Sequence, residues 1–65
     1  MTRKDFLEKI EEFLRKNKIA PTALGIASIN NPGLVFDVRK GRECREAVQQ
    51  RVLEFMAKYE EENNE

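Results

Sequence analysis

Asn31-Pro32-Gly33 interrupts the chain at its midpoint and limits the possible folds more than any other feature. It lies within a stretch, Ala20–Arg42, set between two long segments where the charged residues cluster. Two architectures fit this stretch. In the first it forms two short helices joined by a tight turn. Pro21 suits the first turn of a helix, where its missing N–H is not needed, and Ala23, Leu24, Ile26 and Ala27 carry one or two turns. Asn31-Pro32 then repeats the start signal, an Asn cap followed by Pro at the first helical position. Leu34, Val35 and Val38 give an apolar i, i+1, i+4 pattern, and Gly41 suits the residue just past a helix ending near Lys40. In the second architecture Asn31-Pro32-Gly33-Leu34 is a type II turn, with Pro and Gly in its two central positions. Gly25–Ile29 and Leu34–Val38 would then be strands, which their β-branched and aromatic content permits. Such a hairpin is marginal unless both flanking helices pack on one of its faces.

The flanks are simpler. Residues 3–17 are expected to be an amphipathic helix with Phe6, Leu7, Ile10, Phe13 and Leu14 on one stripe. Thr2 is its N-cap, with Asp5 three positions later standing where a capping box usually has Glu. Glu11–Arg15 and Glu12–Lys16 have the favourable i, i+4 order. Asn17 and Lys18 end the helix, and Ile19 anchors the connection in the core. A second helix is expected over 44–59, with Ala47, Val48, Val52, Phe55, Met56 and Tyr59 as its stripe. Leu53 widens that stripe, either for the core or for a second subunit. Acids at a helix C-terminus oppose the macrodipole, so residues 60–65 are expected to fray. The domain proper is therefore 1–59 and the acidic tail 60–65.

A chain of 65 residues supports one small domain that buries only about 60% of its unfolded surface. Net charge is zero, but four acids lie in the last six residues. Without them twelve bases face eight acids, and residues 1–59 carry +4. A modestly basic domain with an acidic tail is compatible with nucleic acid and equally with a solvated mixed-charge surface. With no His and only Cys44, a Cys/His metal site and an intrachain disulfide are both excluded. No base–nucleophile pair is visible, so no enzyme, cofactor or small-molecule substrate is expected. No apolar run reaches the roughly 20 residues that span a bilayer, and the amino terminus does not read as a secretory signal. The default expectation is a cytoplasmic protein.

Taken from Ala20, the pattern Pro21, Leu24-Gly25, Asn31-Pro32, Val35, Val38 and Lys40-Gly41-Arg42 resembles the helix-turn-helix of the lambda-repressor-like (XRE) family. Over most of residues 5–57 the chain is also similar to small helix-turn-helix regulators of alphaproteobacteria. These share a segment like Asn31–Arg42 followed by a helix like Arg51-Val52-Leu53-Glu54-Phe55-Met56. It departs from the family pattern in three places. Ile29 or Asn30 stands where the turn Gly is usual, Pro21 stands where a polar Gln is usual, and the fifth helix is absent.

The resemblance implies an all-α, compact four-helix lambda-repressor-like domain containing a helix-turn-helix, with a long C-terminal helix. It implies a sequence-specific regulator of transcription, a repressor, bound to double-stranded DNA. The helix over 32–40 would lie in the major groove with its N-terminal residues at the base edges. Asn31, Gly33, Phe36 and Asp37 then face the bases. Asn31 either caps the helix or contacts adenine, and Phe36 either meets thymine methyls or packs within the protein. Asp37 either accepts from cytosine or pairs with Arg39, Lys40 or another neighbouring base of the protein. Phosphate contacts come from Thr22, Lys40, Arg42 and Arg45, whereas Arg39 serves equally well in an intramolecular ion pair. One such module makes few base contacts, so a homodimer through Leu53, Met56 and Tyr59 is expected. The rival function is a non-enzymatic protein-interaction module or adaptor, of prophage or antitoxin type, on the same scaffold. Zero net charge and Asp37 favour that rival, and the basic run from Arg39 to Arg45 favours DNA. Cys44 reads as a small residue at the start of the last helix. A redox role there would need Arg42 and Arg45 to lower its pKa.

Overall fold

The computed structural model describes residues 2–63, which form four α-helices and, among the described residues, no strand. The helices are α1 (Arg3–Asn17), α2 (Pro21–Ile29), α3 (Leu34–Arg39) and α4 (Glu46–Asn63). The hairpin alternative is thereby removed. Its two expected strands are the end of α2 and most of α3, and burial explains why. Helical spacing puts Leu34, Val35 and Val38 in the core together and leaves Phe36 outside, whereas a period of two would split Leu34 from Val35.

α1 has the expected bounds. The Thr2 hydroxyl accepts the Asp5 N–H at 3.1 Å, satisfying one of the donors that a helix N-terminus leaves open. Phe6, Ile10, Phe13 and Leu14 are buried and Leu7 is half-buried. Lys18 ends the helix in the left-handed conformation, φ 55°, and the Ile19 N–H reaches back to the Leu14 carbonyl at 3.0 Å. Ile19 packs against the core as expected. The same device recurs twice. Asn30 ends α2 at φ 57°, and Gly41 stands just past α3 at φ 108°. At the third stop the Gly41 N–H bonds the Val38 carbonyl at 3.1 Å and the Arg42 N–H bonds the Asp37 carbonyl at 3.0 Å. That bond pair is a Schellman motif.

α3 packs against α1 and α2, and α2 also packs against α4. The core draws on all four helices: Phe6, Ile10, Phe13 and Leu14, then Leu24, then Leu34, Val35 and Val38, then Val52 and Met56. No polar or charged residue is buried among the described residues, so the interior carries no desolvation penalty to offset.

Three expectations about the last helix are corrected. It starts at Glu46 rather than Cys44. The Arg45 carbonyl accepts the first helical bond, from the Gln49 N–H, and the Gln49 amide turns back to the Cys44 carbonyl at 3.1 Å. Ala47 is exposed rather than part of the stripe. α4 continues past the expected end at Tyr59 and runs through Asn63. Glu60 accepts from the Asn17 amide at 3.2 Å and lies 3.5 Å from Lys16 Nζ. These contacts with the end of α1 offset the macrodipole penalty. Asn64 and Glu65, also assigned to the expected tail, lie outside the described residues. Leu53 is half-buried, with one part packed against the core and the rest open.

The expected ion pairs within α1 are replaced by pairs between helices. Lys16 meets Glu60 rather than Glu12. Glu11 is taken by both arms of the Arg39 guanidinium, Nε and Nη2, each at 2.7 Å. A planar fork on a carboxylate makes two parallel charge-assisted bonds, more than a flexible i, i+4 pair offers. The pair clamps α3 onto α1. Arg3 adds a second tie between the same helices, its Nη1 donating to the Val38 carbonyl at 3.3 Å.

The clamp has a pH signature. The Arg39 hydrogen bond holds the Glu11 carboxyl below its ordinary value, against a smaller opposing effect of burial, with the charges of Arg39 and Arg15 assisting. Glu11 also raises Arg39. A depressed folded-state pKa stabilises fully above the unfolded glutamate value of about 4.3. That contribution is lost as pH falls through the lower folded value. Both side chains are more than one third exposed, so solvent screening limits the effect. Glu11→Gln is expected to cost about 0.5–1 kcal/mol at neutral pH. The difference between variant and parent should vanish in urea melts at the acid end of that window, and a difference that persists there contradicts the assignment.

Candidate nucleic-acid interface

The turn between α2 and α3 is built on Gly25. The Gly25 carbonyl accepts from the N–H groups of Asn30 and Asn31, the latter at 3.0 Å. The Asn31 peptide is thereby drawn over the Gly25 Cα. A Cβ at position 25 would overlap the Asn31 carbonyl oxygen and stand 3.1 Å from its carbon and 3.4 Å from Leu34 Cβ. The structure allows only Gly, because the close neighbour is turn backbone, which cannot move aside as a side chain can.

The N-cap of α3 is Gly33, with no side-chain cap bond, so the expected capping role is not met and Asn31 braces the preceding turn instead. Its side-chain oxygen accepts the Gly33 N–H at 2.9 Å, and its carbonyl accepts the Leu34 N–H at 3.2 Å. That i, i+3 bond makes the first turn 3₁₀-like. The regular helix therefore begins at Leu34 rather than Pro32, and α3 is six residues long.

α3 turns Leu34, Val35 and Val38 inward. Phe36 lies on the opposite side and is 42% exposed. The Arg39 guanidinium stands 5.7 Å from the centre of its ring, within cation–π range. Arg39 is thus occupied by Glu11 and Phe36, in agreement with an intramolecular role. Asp37 pairs with Arg42, Nη1 to Oδ2 at 3.2 Å. Neither Arg39 nor Lys40, the two partners expected by name, takes that place; the Gly41 reversal gives it to Arg42 by returning it to the Asp37 carbonyl.

Several sequence-selected residues gather around one cleft of about 360 Å³ between the end of α3 and the start of α4. Asn31, Asp37, Arg42 and Arg45 line it, with Cys44 and Val48 among the remaining walls. Gly33 adjoins it, since a Cβ there would stand 3.5 Å from the Asn31 side-chain oxygen and 3.8 Å from Asp37 Oδ2. Thr22, Phe36 and Lys40 do not line the cleft. Thr22 is exposed in the first turn of α2, and Lys40 is exposed where α3 ends.

Cys44 is half-buried, and burial pushes its thiol up. Arg42 pulls it down by a smaller amount, and the Asp37 charge adds to the rise. The depressed value that a redox role requires is not present.

The residues named for a dimer surface sit differently from one another. Met56 is 6% exposed and belongs to the core. Leu53 and Tyr59 are half-buried, and the Tyr59 ring meets Phe13 edge-on at 5.5 Å. Ile26, expected only to carry a turn of the first short helix, is 49% exposed on α2. Its place in a short apolar run gave no periodic signal of an outward direction. No family model, curated protein or solved structure matches this chain.

Proposed function

We propose that this chain is a sequence-specific, double-stranded-DNA-binding regulator of transcription, acting as a repressor. In this reading α2, its turn and α3 are a lambda-repressor-like helix-turn-helix, with α3 set in the major groove. The observation that carries the reading is the division of α3. Its inner side is fixed by three buried aliphatics and the Glu11–Arg39 clamp, while Phe36 and Lys40 face solvent beside exposed Arg42 and Arg45. A rigid short helix with a basic exit is what groove docking needs. Phe36 offers an apolar contact for thymine methyls. Lys40, Arg42 and Arg45 supply positive charge, and Thr22 adds a hydroxyl at the start of α2. Two copies on a repeated site would raise specificity. Leu53 and Tyr59 then form the contact, with Met56 behind them rather than at the surface.

Fluorescence-polarisation titrations against random and genomic duplex fragments at low and moderate salt test this. Affinity is expected to fall steeply with salt, by about 0.9 log units per log unit of salt for each phosphate contact. Arg42→Ala combined with Arg45→Ala should weaken binding and flatten that slope. Binding that ignores both salt and the double variant removes the reading.

A second reading, a protein-interaction module or adaptor, is favoured by the exposure of Ile26 and Phe36, two large apolar side chains on α2 and α3. It predicts no duplex binding at low salt.

A further inference from the structure

We infer that Arg42 reads guanine and that Asp37 orients it, so that the two residues act as one base-reading unit; this rests on the DNA-binding reading above. From Asn31 to Arg39 the exposed side of α3 lacks a free cationic base-reading donor, and Lys40 stands at its far, C-terminal end. The Asn31 side-chain oxygen is engaged by the Gly33 N–H, and Gly33 has no side chain. Phe36 is apolar, and both arms of Arg39 that reach Glu11 are occupied. An unpaired Asp37 would only accept hydrogen bonds and would repel the duplex.

The geometry brings Arg42 back to this face. Gly41, at φ 108°, reverses the chain, and the Arg42 N–H bonds the Asp37 carbonyl at 3.0 Å. The Arg42 backbone is therefore fixed beside Asp37, and its Nη1 lies 3.2 Å from Asp37 Oδ2. That carboxylate oxygen is in turn 3.8 Å from the position a Gly33 Cβ would take. Asp37 thus leans toward the N-terminal end of α3, the end that meets base edges in such docking. The guanidinium is held along α3 rather than released into solvent past it.

One bond to one nitrogen leaves the rest of the guanidinium fork free, and the Arg42 side chain is 71% exposed. A fork with free parallel N–H groups matches the O6 and N7 acceptors of guanine. Holding it in place lowers the ordering cost of binding. The pair also neutralises Asp37, which explains how an acid is accommodated on a DNA-facing surface. A different role for the same contact would be to withhold Arg42 from phosphates, and the two roles predict opposite results when Asp37 is neutralised.

The test selects binders from a pool of randomised duplexes with the wild-type protein. Copies of the selected duplex then carry adenine or 7-deazaguanine in place of each guanine in turn. At one guanine, replacement is expected to weaken wild-type binding by at least about five-fold. Arg42→Lys should keep the salt dependence and lose the guanine preference. Asp37→Asn should narrow the preference while holding or raising affinity for unselected duplexes. The inference is overturned if no guanine matters, if Arg42→Lys keeps the preference, or if Asp37→Asn tightens every duplex equally with the preference intact. Wild-type protein that binds no duplex in a salt-sensitive way overturns the DNA reading itself. Far-UV spectra matching wild type verify that both substitutions, at surface positions, leave the fold in place.

Discussion

Gly25→Ala is expected to lower the unfolding free energy by about 3 kcal/mol, at the upper end of the overpacking range. The added methyl would overlap the Asn31 carbonyl oxygen, so the turn must open before the helices can pack. Opening it breaks the Gly25 carbonyl bonds to Asn30 and Asn31 and displaces Leu34, which is 2% exposed. A domain of this size has roughly 3–10 kcal/mol in total, so the variant should be largely unfolded or should melt at far lower urea. Ala is the better helix former by about 1 kcal/mol, which makes the sign of the result decisive. A Gly25→Ala protein as stable as the parent would mean that the turn does not sit on Gly25.

Phe13→Ala is expected to cost about 3–5 kcal/mol, the range for a buried aromatic. Phe13 is 4% exposed and is the hinge of an aromatic cluster. Its ring meets Phe55 at 6.3 Å and Tyr59 at 5.5 Å, both edge-on, and such pairs add about 0.5–1.5 kcal/mol each beyond area burial. This cluster is a principal tie between α1 and the second half of α4. Its loss should also release the Glu60 contacts with Lys16 and Asn17, so helicity should fall most at the end of α4. Urea denaturation followed by far-UV signal measures the cost. A value below about 1 kcal/mol would show that α1 and α4 are held together elsewhere.

Where packing repeats with helical period, the fold was legible from sequence. α1 could be placed from Thr2 to Asn17 because its cap, its stripe and its stop agree. The stop at Gly41 was legible for the same reason, since only a left-handed residue closes a Schellman motif there. The middle was ambiguous because Asn31-Pro32-Gly33 satisfies a helix start and a type II turn equally well. Long-range burial of Leu34, Val35 and Val38 decides between them, and a local pattern does not record it. The start of α3 shifted by two residues because its first turn is 3₁₀-like, so that Gly33 rather than Asn31 is the N-cap. The end of α4 was misjudged because Glu60 reaches Lys16 and Asn17, partners more than 40 residues away.

The candidate interface divided in the same way. Arg39 was recognisable as an ion-pair residue, but its partner on α1 was not, since 28 residues separate it from Glu11. Asp37 was recognisable as a residue needing a base, and the Gly41 reversal selects Arg42. Met56 was placed at a surface because the stripe of α4 holds more apolar residues than one row of contacts needs. The core uses Met56 and leaves Leu53 and Tyr59 half-covered.

We propose that the surface running from Asn31 through α3 to Arg45 docks on duplex DNA. It is tested most directly by recording backbone amide resonances while duplex DNA is added at low salt. Shifts are expected at Asn31, Gly33, Phe36, Lys40, Arg42 and Arg45, and at Thr22 in α2, and they should reverse when salt is raised. Amides on the outer face of α1, such as Glu8 and Glu12, should stay in place. An unchanged spectrum at low salt, or shifts confined to α1 and α4, would contradict the claim.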